Sequence, residues 1–234
     1  DHDAQSGVSV YRNVFDLRGG TYKGPPTSPD ATGSFLHQEG QLIGDHGSPV
    51  WPVIRAYHNT FLRQTPSYRD YFLFGLGAQG MKHNERDVFN NIFVQVEKVP
   101  GAGFAGITKA EPIREAGNIV WGTQDGPALK TDPFAKFRAS PLFQASRQFY
   151  EPGWTTRDRV IDPQFIAAPL SVDQRVDLRL KPGSPAINSG EPLPSNWPDP
   201  LRAQDVDQPD IGALPVGVIP WGVGIDGRIP LFGE

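Results

Sequence analysis

The chain has 234 residues, among them 26 Gly, 24 Pro, one Met and no Cys, with a formal net charge of −4 and a hydrophobic share of 38%. So much turn-forming residue excludes a helical bundle and fits short strands joined by loops. Lack of Cys excludes a disulfide framework, thiol chemistry and Cys-based zinc sites. No basic cluster gives a nucleic acid a footprint, and no apolar run approaches the ~18 residues a membrane-spanning helix needs.

The chain opens on Asp1-His2-Asp3, and strand-like sequence begins by Val8. So abrupt a start fits a processed product or the C-terminal part of something longer. Three phrases then repeat: "VYRNVF" (Val10–Phe15), "AYHNTF" (Ala56–Phe61) and "VFNNIF" (Val88–Phe93). Aligned on Asn13, Asn59 and Asn91, they share an apolar residue at −3 and an aromatic at −2 (Tyr11, Tyr57, Phe89). A polar residue stands at −4 (Ser9, Arg55, Asp87) and Phe at +2 (Phe15, Phe61, Phe93). Strand alternation sends −3 inward and −4 and −2 outward, and a bend at Asn brings +2 back inward. Asn tolerates left-handed backbone, and its amide can bond an equivalent Asn stacked on it. A weaker fourth copy stands in "AGNIVWG", where Trp121 falls one place late after Asn118. The anchors lie 46, 32 and 27 residues apart. A solenoid with coils of ~20–30 residues absorbs such differences in its loops. Tyr71–Leu76 fits a further short strand.

Beyond Trp121 the pattern changes. "PFAKFR" (133–138) fits one turn of helix. "SPLFQASRQFYEPG" fits a second helix with Ser140 as N-cap, Pro141 first, and Leu142, Phe143 and Phe149 on its apolar side. "VIDPQFI" and "VDLRLKPGSPAIN" return to strand and turn. Residues 1–217 read as one body, and 218–234 as an extended apolar strap over it.

"LRLKPGSPAINSG" (Leu178–Gly190), then "DQPDIGALP" (Asp207–Pro215), with "DPQF" (Asp162–Phe165) upstream, resembles the closing segment of secreted right-handed parallel β-helix proteins of the pectate-lyase-like superfamily. "HNTF" and "NNIF" resemble that group's coils. The resemblance implies an all-β, right-handed parallel β-helix (solenoid) with a short lateral helix. It also implies an extracellular or periplasmic location and a carbohydrate context. Its enzymes include polysaccharide lyases, glycoside hydrolases and epimerases. The chain lacks the Asp-Pro-His motif of mannuronan epimerases, the paired Asp of polygalacturonases and the Arg-x-Pro-x-x-Arg of pectate lyases. No catalytic residue therefore carries over. Members also begin with several coils and a cap, whereas the first coil here is bare. The missing coils are then expected on a partner chain cut from the same precursor.

On the outward face, Tyr11, Arg55, Tyr57, Asp87 and Phe89 form a candidate substrate-binding platform. Aromatics ~4.8 Å apart suit sugar rings. Arg55 suits a uronate carboxylate, and Tyr57 or His58 the abstraction of the proton alpha to it. The structural reading is that the aromatic stack is covered by a loop or by the helix near Leu142. His2, His37, His46, His58 and His83 show no metal-binding spacing. "DVDQPD" (Asp205–Asp210) gathers three carboxylates, which leaves calcium possible. It equally fits a capping turn in which Asp210 accepts backbone hydrogen bonds and Arg202 pairs with a carboxylate. "GAGFAG" and "GVGIDG" lack the strand-then-helix setting of a phosphate loop and read as turns. Two functions are expected: a polysaccharide lyase or glycosidase acting on an acidic glycan, or a non-catalytic extracellular scaffold completed by a partner chain.

Overall fold

The computed structural model describes residues 7–17, 50–67, 82–83, 85–96, 109–122, 134–169, 171 and 173–219. The strand reading of Tyr71–Leu76, most of the strap reading, and His2, His37 and His46 lie outside these residues.

Four strand–bend–strand tiers form the body. They are β1 (Val8–Tyr11) with β2 (Val14–Leu17), β4 (Ile54–Tyr57) with β5 (Thr60–Ser67), β7 (Arg86–Phe89) with β8 (Ile92–Val96), and β9 (Ile113–Ala116) with β10 (Ile119–Trp121). First strands make one parallel sheet, β1-β4-β7-β9. Second strands make another, which β11 (Arg159–Val160) extends to β11-β10-β8-β5-β2. The register follows the asparagine alignment: Tyr11 faces Tyr57, which faces Phe89, and Phe15 faces Phe61, which faces Phe93. A small parallel pair, β3 (Val50–Trp51) with β6 (Lys82–His83), lies outside the repeat.

The asparagines build a ladder through these tiers. Each ladder Asn donates its backbone N–H and its Nδ2 to the Oδ1 of the next. Asn13 bonds Asn59 at 3.2 and 3.1 Å, Asn59 bonds Asn91 at 3.0 and 3.0 Å, and Asn91 bonds Asn118 at 3.0 and 3.0 Å. The left-handed bend expected at Asn sits one residue earlier, at Arg12, His58 and Asn90 (φ 55°, 52° and 56°) and at Gly117 (φ 70°). Left-handed backbone costs a non-glycine residue ~1–2 kcal/mol. The ladder bonds and the bend's own backbone bonds, such as His58 N–H to the Phe89 carbonyl at 3.1 Å, offset it.

The core between the sheets takes Ile54, Val88 and Ile113 from one and Phe61, Phe93 and Val120 from the other, with Phe15 against them. The phenylalanine rings stack at 4.7 and 4.9 Å. In the fourth tier Val120 takes the place opposite Phe93, while Trp121 lies opposite Val94 and turns the other way. The end beyond β9 is closed by α1 (Ala135–Arg138), α2 (Pro141–Ser146) and Trp154, whose Nε1 donates to the Ile113 carbonyl at 2.9 Å. Ser140 caps α2 by accepting the Phe143 N–H at 3.2 Å. Leu142 and Phe143 pack on the core, but α2 ends at Ser146 and leaves Phe149 exposed.

On the outer face of the second sheet, Leu62, Ile92, Val94 and Ile119 are covered by Phe165, Leu178, Leu180 and Ile211. Phe165 belongs to β12 (Phe165–Ala167), and Leu178 and Leu180 to β13 (Asp177–Leu180). This pair is antiparallel, a departure from the parallel pattern. The turn between Lys181 and Ser184 places Gly183 at φ 85°. No described helix is long and apolar enough to cross a membrane.

Candidate functional site

Three neighbouring rows of side chains leave the first sheet and its bend, and each meets the C-terminal segment differently. The bend row holds Arg12, His58, Asn90 and Gly117. Arg12 reaches Asp199 through Nε at 3.1 Å and Nη2 at 2.9 Å, Asp205 through Nη2 at 2.7 Å, and the Gly212 carbonyl through Nη1 at 3.1 Å. Burial pushes the Asp199 carboxyl up, but the bonds and charge of Arg12 outweigh it and leave the group below the ordinary range. His58 is 1% exposed, and its Nδ1 has no hydrogen-bond partner. Burial first, then the charge of Arg12, drives its pKa down to about 3, so the ring is neutral. The cavity among Arg12, His58, Leu193, Asp199, Arg202, Asp205 and Pro209 has about 30 Å³, too little for more than one or two waters.

Asn90 exchanges hydrogen bonds with Glu191, at 2.8 Å from Nδ2 to its carbonyl and 2.7 Å from its N–H to Oδ1. Asp210 accepts the N–H groups of Asn188 and Val216, and Asp205 accepts that of Asp210. The expected capping turn is therefore present. Arg202 instead donates to the carbonyls of Leu193, Pro194 and Trp197. Asp205 is paired with Arg12 of the first tier. Among the described residues no group of three or more His, Asp or Glu is placed to hold a metal ion.

The aromatic row holds Tyr11, Tyr57 and Phe89, with Ala116 in the fourth tier. Tyr11 and Tyr57 stack at 5.2 Å. Trp197 lies over Tyr57 at 5.0 Å and edge-on to Phe89 at 6.0 Å, and Tyr150 flanks Phe89. Tyr57 is fully buried and Phe89 is 9% exposed. The Tyr57 hydroxyl donates to the Pro198 carbonyl, and burial pushes its ionisation far above the ordinary range.

The charged row holds Ser9, Arg55, Asp87 and Arg114 in register. Asp87 is fully buried. Arg114 grips it through Nε at 2.8 Å and Nη2 at 3.1 Å, and Arg55 lies 3.7 Å away on the other side. Burial raises the Asp87 pKa to about 6 against the pull of both arginines. Arg114 also binds Glu85, and the Arg55 guanidinium lies 5.3 Å from the Trp197 ring centre. The five expected platform residues are thus brought together, with Trp197 lying over their middle.

An open groove lies elsewhere, beside the outer face of the second sheet. It has about 430 Å³ and is lined by Val94, Trp121, Asp162, Gln164, Phe165 and Lys181, together with Pro163 and Ala168. The rim follows from the "DPQF" turn. Asp162 accepts the Gln164 N–H at 2.8 Å, Gln164 takes φ 55°, and the Lys181 N–H donates to the Gln164 carbonyl at 2.9 Å. A half-buried indole beside a carboxylate, an amide and an ammonium can stack a ring and bond its hydroxyls. Sequence reasoning noted Trp121 and "DPQF" without joining them, because only the side-by-side pairing of β8 and β10 and the β12–β13 pair make them neighbours. Arg12, Trp197 and Asp199 were missed altogether: their contacts with one another's segments span more than 100 residues of chain, and no local pattern announces them.

No protein-family model, curated protein or solved structure matches this chain.

Proposed function

We propose that the chain forms the C-terminal coils of a right-handed parallel β-helix and acts outside the cytoplasm as a non-catalytic, carbohydrate-binding scaffold. The observation that carries this reading is the contrast between a sealed sheet face and an open groove. Proton abstraction needs a base that can touch its substrate. Tyr57 is buried and held protonated, and His58 is a neutral ring with 1% exposure. The groove at Trp121 is open and offers what a polyhydroxylated ring needs: an indole wall, Asp162 and Gln164 for hydroxyls, and Lys181 for a uronate carboxylate. A partner polypeptide that continues the stack beyond β1 and β2 belongs to the same reading.

Calorimetric titration of the full chain with neutral and uronate oligosaccharides tests the proposal. Uronate oligomers should bind more tightly than neutral ones. Trp121→Ala should weaken binding at least tenfold, and Lys181→Gln should erase the preference for uronate. No absorbance near 235 nm should develop on uronate polymers. Unsaturated products at that wavelength, or binding indifferent to Trp121, would overturn it.

A further inference from the structure

We infer that the edge of β1 and β2, which no described strand pairs with, is a docking site for one more tier, supplied by a polypeptide segment with an apolar residue, an aromatic, any residue, asparagine, any residue and phenylalanine in succession. This deepens the partner half of the scaffold reading and is independent of the groove.

The ladder bonds have a direction. Each upper Asn gives two N–H groups to the Oδ1 of the Asn below. Each lower Asn returns its second Nδ2 hydrogen to the carbonyl three residues before the Asn above: Asn59 to Val10 at 2.9 Å, Asn91 to Ala56 at 3.0 Å, Asn118 to Val88 at 3.1 Å. Asn13 alone departs from this pattern. Its Oδ1 accepts no hydrogen bond from a described residue, and its second Nδ2 hydrogen turns back to its own tier's Tyr11 carbonyl at 2.9 Å. Two acceptor positions on Oδ1 are therefore left for a tier above, and the Nδ2 hydrogen now on Tyr11 is the one that would turn to that tier's carbonyl.

The apolar surface agrees. Val8 is 42% and Val14 41% exposed, the only ladder-tier valines left so open among the described residues. Tyr11 and Phe15 each stack on a ring below and have no described ring above. The edge is also held ready, since Arg12 pins its bend to Asp199, Asp205 and Gly212. Chemistry selects the occupant. An asparagine must supply the two N–H groups, an aromatic at −2 must stack on Tyr11, and a phenylalanine at +2 must continue the Phe15 stack. Asn84 is the one Asn among the undescribed residues, and it has Lys82 at −2 and Arg86 at +2, so no undescribed stretch carries the motif. A second copy does not fit either, because its Asn59, Asn91 and Asn118 are bonded inside its own stack.

The experiment titrates the ¹⁵N-labelled full chain with a synthetic peptide of the sequence from Ile54 to Leu62, which carries the motif, up to millimolar concentration. Saturable amide shifts should appear in residues 8–17 and not around Trp121. The same peptide with Ala for its Asn should bind at least tenfold more weakly. Val14→Lys, a change at an exposed edge position, should abolish binding while the melting temperature holds. No shift at millimolar peptide, equal shifts with the Ala peptide, or concentration-dependent self-association would each overturn the inference. Glycan binding at Trp121 is read separately, so failure here leaves that proposal standing, and failure there leaves this one.

Discussion

Asn118 donates its backbone N–H and its Nδ2 to one oxygen of Asp158, at 2.9 and 3.1 Å. Asp158 thereby takes the ladder position in a fifth tier, and the Arg159 N–H bonds the Asn118 carbonyl as each tier bonds the last. An acid can receive the ladder's hydrogens but has no amide to pass on. The ladder therefore ends at Asp158 and begins at Asn13.

The ladder predicts unequal costs for one substitution at two places. Asn91→Ala would strand the Asn59 N–H, the Asn59 Nδ2 and the Ala56 carbonyl in the interior. Each buried unsatisfied group costs ~1–3 kcal/mol, so the loss should be on the order of 3 kcal/mol or more. Asn13→Ala, at the exposed edge, should cost under ~1 kcal/mol. Urea unfolding midpoints check the difference, and equal losses would contradict the ladder as a buried device.

Glu115 stands opposite Val88, in a row that is apolar in the other tiers, and it is fully buried. Burial first, then the charge of Asp158 beside it, raises its pKa well above the usual carboxyl range. Asn118 donates to it at 3.1 Å, as does the Thr155 N–H, and Arg138 acts in the opposite sense to Asp158. A raised folded-state pKa gives stability that is complete below the unfolded value near 4.5 and is lost as pH rises through the folded value. Glu115→Gln keeps the shape without the ionisation. It should match the parent at pH 4 and melt higher than the parent at pH 8. An unchanged slope of melting temperature against pH would contradict this.

Asp87 gives a second, separable pH effect. Its pKa rises from 3.8 to about 6 because burial outweighs Arg114 and Arg55. Stability from this group is complete below 3.8 and falls as pH rises through 6, by about 3 kcal/mol in all. Asp87→Asn should remove its own share of the loss between pH 4 and 6 and leave the share due to Glu115 intact. Denaturant titrations at half-unit pH steps resolve the two.

The sequence disclosed what repeats and concealed what is unique. Asn13, Asn59 and Asn91 were visible because the tiers demand the same amide at the same place, and the Phe15–Phe61–Phe93 stack was visible for the same reason. Asp158 escaped notice because it fills the last position with a different residue and no aromatic follows it. Glu115 sits where the pattern calls for an apolar side chain, and Asn118, Thr155 and the charge of Arg138 make that tolerable. Tyr11, Arg55, Tyr57, Asp87 and Phe89 share one side of the first sheet, as strand alternation sends them, but Trp197 reaches them from 140 residues away in sequence from Tyr57. Such distant coverage leaves no trace in local periodicity.

The glycine of the "DIGALP" segment carries the last prediction. Gly212 has φ +100°, and its N–H donates to the Asn90 carbonyl at 2.8 Å. A Cβ there would lie 2.7 Å from Ile92 Cδ1 and 2.9 Å from Thr60 Oγ1, and that hydroxyl accepts the Ala213 N–H at 3.0 Å. Gly212→Ala therefore combines backbone strain with a clash against the second sheet and should cost several kcal/mol. Gly183→Ala has a comparable φ of +85° with nothing within 4 Å, so it isolates the backbone term and should cost ~1–2 kcal/mol. If the two variants melt alike, the segment from Asp210 to Ala213 does not press on Thr60 and Ile92 as described. Closure of the bend row by the C-terminal segment would then need another cause.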